Sequence, residues 1–172
     1  DNSIKNSPSR IAAGIINPVT GRRHVEVWMA DEILPFALQA YTGLGIELGI
    51  TAISKKNIID FFPSPQMRLS FQQRVEEKGN YVSLSTEENK YRDLFNYDFD
   101  FGEISPVYTA HLENILPAWR QQLLRHNQLW EEEFDHHQLR IYEKEVQYKN
   151  IIAKKIIFCD GNSSVTNSYF KN

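Results

Sequence analysis

The chain has 172 residues, 41% of them hydrophobic, 12% aromatic and 24% charged, with a formal net charge of −3. That balance describes one globular domain with a substantial core and excludes disorder, for which the aromatic content is too high. The slight negative charge gives no drive toward nucleic acid or an anionic membrane, and no apolar run approaches the ~20 residues of a membrane span. The one cysteine, Cys159, forbids an internal disulfide and points to a reducing, cytoplasmic setting. The first residues are not a signal peptide, and a start at Asp1 predicts that the chain is internal to a longer protein.

Residues 1–24 lack helical periodicity. Asn2, Ser3, Ser7, Pro8, Ser9, Gly14, Pro18 and Gly21 make a long loop around an apolar patch, Ile11 to Ile16. Val25 to Trp28 reads as a short strand. Asp31 to Leu44 reads as a helix, with Pro35 in its first turn. Gly43, Gly45 and Gly49 then end that helix; their spacing does not fit a dinucleotide-binding turn. Two strands are predicted at Ile50–Ile53 and Ile58–Phe62, with Ser54 to Asn57 as the turn. Ser64-Pro65 starts a helix with the stripe Met67, Phe71, Val75, closed by Gly79. Tyr81 to Leu84 is a strand, and Ser85-x-x-Glu88 is a capping box opening a helix through Phe95.

Tyr97, Phe99 and Phe101 alternate with Asp98 and Asp100, so the rings should face the core. Their expected partner is the Leu112, Ile115, Trp119 face of a helix over His111–His126, reached through Ile104 to Tyr108. Leu129–Phe134, Gln138–Tyr148 and Ile151–Cys159 are strand-like, and residues 162–172 form a polar tail. The pattern is α+β, a mainly antiparallel sheet with helices on one face. It divides into a loop segment (1–24), an α+β domain (25–150), a returning strand (151–161) and the tail.

The residues suggest little standard chemistry. Adjacent His136 and His137 read as a turn, and no metal-ligand spacing exists. Glu131, Glu132 and Glu133 read as a solvated edge and Cys159 as a small core residue. No serine or cysteine hydrolase signature is present. The run Ala12-Ala13-Gly14 is more informative, because it carries almost no bulk and lets another group approach the backbone. Ser7 and Ser9 could offer hydroxyls and loop amides to an anion. The same run also reads as a small-residue crossing inside an ordinary fold.

Ser9-Arg10-Ile11-Ala12-Ala13-Gly14-Ile15-Ile16-Asn17-Pro18 resembles the loop Ser-x-x-Ala-(Ala/Gly)-Gly-x-(Ile/Leu)-x-Pro of flavoenzymes of the D-amino-acid oxidase, glycine oxidase and D-amino-acid dehydrogenase superfamily. The far end, Ile156-Ile157-Phe158-Cys159-Asp160-Gly161, is similar to the strand that returns to the FAD domain in that family, which more often reads Ala-x-Gly there. The resemblance implies the substrate-domain part of an FAD-dependent oxidoreductase acting on a C–N bond of an amine or amino acid. It implies FAD contacts from Asp1 (ribose), Ser7, Ser9, Arg10, Ala12, Ala13, Gly14 and Gly161, and substrate contacts from Arg22, Arg23 and Tyr108. Catalytic residues stay unassigned, and no metal is expected. FAD should belong to the parent protein and not be retained by this chain alone, whose unpaired ends could associate. Two other classes stay open, a non-catalytic α+β interaction module and a segment of a flavin-dependent RNA-modification enzyme.

Overall fold

The computed structural model describes residues 8–77, 79–87 and 89–170. The chain divides into two compact units between Leu129 and Trp130. It is α+β with antiparallel sheets and four α-helices among the described residues.

The first unit opens with one helical turn, α1 (Pro8–Ile11), and a short strand, β1 (Ile15–Ile16). A small hairpin follows, β2 (Val19–Thr20) and β3 (Val25–Glu26). Helix α2 runs Ala30–Leu48, four residues past the expected end. Gly43 and Gly45 lie inside it, and Gly49, at φ 67°, is the residue that stops it. Ile50 N–H reaches the Gly45 carbonyl at 3.0 Å and Gly49 N–H the Ile46 carbonyl at 3.3 Å, a Schellman closure. Pro35 is the sixth helical residue, beyond the first turn where it was expected.

The hairpin expected over residues 50–62 is instead one strand, β4 (Ile53–Phe61). Lys55, Lys56 and Asn57 imitate a turn in sequence, but they are the exposed residues of an edge strand. Helix α3 (Pro65–Glu76) begins as predicted: Ser64 Oγ accepts Met67 N–H at 3.3 Å, and Pro65 takes the first position. After β5 (Val82–Leu84), the capping box at Ser85 opens no helix. Ser85 Oγ accepts from Glu87 N–H at 3.1 Å, and successive turns follow. Glu88, its other half, lies outside the described residues.

Strand β6 (Phe101–Ala110) is the spine. β4 pairs along it from Ala110 to Phe101, with one extra β6 residue at Ser105–Pro106, where proline has no N–H to give a ladder. β1 and β5 pair with β6 positions that β4 also uses, so both lie on its opposite edge. Helix α4 (Leu112–Arg125) follows at once, with Pro117 as its sixth residue.

The main core joins Val19, Leu34, Phe62, Phe71, Val82, Ile104 and Val107. A second cluster joins Ala52, Ala110 and Ile115. Tyr97 and Phe101 are buried and Asp98 is exposed as expected, but residues 97–100 form no strand, and Asp100, expected outward, is partly buried at φ 74° with Oδ1 accepting Phe101 N–H at 2.9 Å. The partner of the rings also differs. The Tyr97 and Phe101 rings lie 4.9 and 5.7 Å from Phe61, while Ile115 packs on Ala52 and Ala110, and Trp119 is exposed.

In the second unit, β7 (Leu139–Ile141), β8 (Val146–Tyr148) and β9 (Ile151–Ala153) form an antiparallel meander. Phe134 stacks on Tyr148 at 4.4 Å. Residues 129–134 form no strand, and the strand expected through Cys159 stops at Ala153. Beyond it the apolar run has no ladder partner among the described residues, Ile157 is 83% exposed, and Cys159 is an exposed thiol where a core residue was expected. His136 and His137 sit in a 3-10 turn capped by Asp135, as a turn reading requires.

Phe71 is fully buried, and it reaches that position because residue 102 has no side chain. A β-carbon on Gly102 would lie 2.3 Å from the ring. Gly102→Ala should therefore destabilise the chain by about 1–3 kcal/mol through overpacking. The check is a lower urea midpoint with an unchanged slope. Adding Phe71→Leu should recover part of that loss, as a double-mutant cycle would show.

Candidate functional site

Ser9 and Arg10 stand exposed on α1, which ends as Ala12 N–H bonds the Pro8 carbonyl at 2.9 Å. Ala12 and Ala13 follow, both exposed. Gly14, at φ 67°, turns the chain into β1, where Ile15 pairs with Thr109 and Ile16 with Tyr108. The sheet thus brings buried Tyr108 beside the segment that holds the other expected contacts. Arg22 and Arg23 are exposed on a different element, the β2–β3 turn. Gly161 belongs to the second unit, exposed and at φ 56°. Asp1 and Ser7 lie outside the described residues.

Gly14 has a structural cause of its own. A β-carbon there would stand 2.0 Å from the Ala110 carbonyl oxygen, and the Gly14 carbonyl accepts Ala110 N–H at 2.8 Å. Ala12 and Ala13 carry only methyls, while Ile11 and Ile15 are 70% and 56% exposed. Ser9 precedes this run, exposed on α1.

Two polar pairs were not legible from the sequence. His24, buried and at φ 50°, points Nε2 at Asp60 Oδ2, 2.5 Å away, and rests edge-on against Phe71 at 4.8 Å. Its Nδ1 is buried with no hydrogen-bond partner. The pair ties the β2–β3 turn to β4. Tyr81 donates its hydroxyl to Asp31 Oδ1 at 2.5 Å, tying α2 to the segment entering β5. Burial, then the hydrogen bond and charge of Asp31, push the Tyr81 phenol up to about 12. It therefore remains a donor through neutral pH. Each pair spans tens of residues, and no local pattern marks either.

Two outcomes test this geometry. Titrating the wild type minus Tyr81→Phe by tyrosinate absorbance should isolate a group ionising near pH 12. The unfolded phenol loses its proton near pH 10. Tyr81's stabilising contribution is therefore complete below about pH 10 and should fade as pH rises to 12. Asp31→Asn should lower the value yet leave it above 10, because burial is the larger cause. Separately, Gly14→Ala should cost clearly more thermal stability than Gly21→Ala. Both glycines have positive φ, but only Gly14 faces a backbone wall. No family model matches the chain, and no solved structure matches it significantly.

Proposed function

We propose that this chain is the substrate-domain part of an FAD-dependent oxidoreductase of the D-amino-acid oxidase and glycine oxidase type, oxidising a C–N bond of an amine or amino acid. The observation that carries the reading is the Ile11-Ala12-Ala13-Gly14-Ile15 segment, exposed except at Gly14, which matches the family's flavin-side loop and runs directly into the central sheet. The antiparallel meander ahead of residues 156–161 supports it from the other end of the sequence.

In this reading the bound FAD supplies the two-electron redox chemistry, and the protein binds and orients. Asp1 holds ribose hydroxyls. Ser7, Ser9, Arg10 and the Ala12–Gly14 backbone line the pyrophosphate and flavin side. Arg22 and Arg23 are the candidates for a substrate carboxylate, since a guanidinium pairs it bidentately, and Tyr108 lines the substrate side. The exposed free thiol of Cys159 suits a reducing cytoplasm. Among the described residues no helix is long and apolar enough to cross a membrane.

The encoding DNA should continue the reading frame upstream to a G-x-G-x-x-G turn about 30 residues before Asp1. The product of the whole frame should purify yellow, with a flavin spectrum that an amine or amino acid bleaches in the absence of oxygen. The 172-residue chain alone should be colourless. A whole-frame product that neither carries nor takes up FAD would overturn the reading.

A further inference from the structure

The corner where β4 begins and β6 ends gathers three side chains that are distant in sequence. Antiparallel register sets Ser54 opposite Thr109. One more bond, from His111 N–H to the Ala52 carbonyl at 2.8 Å, extends that ladder. β6 then passes straight into α4, so His111 is the residue flanking the helix and Glu113 lies in its first turn. As a result, His111 Nε2 lies 3.1 Å from Ser54 Oγ, and His111 Nδ1 lies 3.4 Å from Glu113 Oε1.

Nδ1 faces the exposed Glu113 carboxylate at ion-pair distance while Nε2 faces the Ser54 hydroxyl, so in the Nδ1–H tautomer the Nε2 lone pair is directed at that hydroxyl. That is the form a general base requires. The His111 side chain is 24% exposed, so a small reagent can reach the ring. The N-terminal amides of the 14-residue α4 begin at the same corner, and their partial positive charge favours an oxygen that becomes negative.

We propose that Ser54, His111 and Glu113 form a nucleophile–base–carboxylate relay that makes the Ser54 hydroxyl acylable by small activated esters. Ser54 Oγ attacks the carbonyl carbon, and its proton passes to His111 Nε2. The tetrahedral adduct expels the alcohol, which takes that proton, and the acyl group remains on Ser54 as an ester. Water, losing a proton to His111, then cleaves this ester, restores Ser54 and releases the carboxylic acid. Glu113 is a positioning residue that holds the ring and offsets the imidazolium charge. The linear hydrolase motifs are absent because this arrangement is built by strand register, and such relays are recognised by geometry and roles. The relay is independent of the flavin reading.

The test is covalent labelling of the full 172-residue chain with a fluorophosphonate, from which the serine oxygen displaces fluoride, followed by peptide mass mapping. The folded chain should take one label, on Ser54, and the chain unfolded in urea should take none. Ser54→Ala should lose the adduct. His111→Gln should slow labelling roughly 100-fold, the scale of a lost general base, with an unchanged circular dichroism spectrum. Glu113→Gln should slow it less, with part of the rate restored by Glu113→Asp. No Ser54 label on the folded wild type would overturn the proposal. So would a Ser54 label that forms at the wild-type rate in His111→Gln or Glu113→Gln.

Discussion

The antiparallel pairing of β4 with β6 is the constraint on which the first unit depends. It fixes β6 along its whole length on one edge, leaving the other edge for β1 at one end and β5 at the other. A strand paired on both edges and largely buried must present small residues wherever something crosses it closely. β6 does so at Gly102, which admits the Phe71 ring; at its other end the missing side chain belongs to the crossing segment, where Gly14 meets the Ala110 backbone carbonyl. The first fit organises the core, and the second sets where the Ser9–Gly14 segment joins the sheet.

The same pairing explains why the polar contacts lie where they do. β4 carries Asp60 near one end and Ser54 near the other. Asp60 meets His24 beneath the β2–β3 turn, while Ser54 meets His111 where β6 leaves the sheet. Both histidines thus read a position on one strand, from elements that arrive by different routes. In both cases it is Nε2 that faces the strand residue.

Local signals in the sequence were read correctly where one mechanism decided the outcome. Ser64-Pro65 starts a helix because the cap oxygen and the missing proline N–H suit the same helix end. The α4 limits follow equally from periodicity. Misreadings came where two mechanisms share one composition. Lys55-Lys56-Asn57 suits a turn or an exposed sheet edge, and only the presence of β6 decides between them. Ser85 caps a turn in place of a helix for a similar reason. The Ile156–Cys159 run has strand composition, but a strand also needs a backbone to pair with. The candidate cofactor segment was proposed from contiguous residues. The His24–Asp60, Tyr81–Asp31 and Ser54–His111 contacts join residues 36, 50 and 57 positions apart, and only the fold can join them.

α2 and α4 share a feature that bears on how the chain moves. Each has proline as its sixth residue, so no amide donates to the carbonyl of the second residue, Asp31 in one helix and Glu113 in the other. The opening turn of each helix is therefore tied to the remainder by one backbone bond fewer than in an uninterrupted helix. That turn can tilt or fray at lower cost while the later turns stay wound. In both helices the loosened turn carries a carboxylate that contacts a neighbouring side chain, Tyr81 or His111. In α2 the contact reaches Tyr81, on a different element, whereas in α4 it reaches His111, the residue that flanks the same turn.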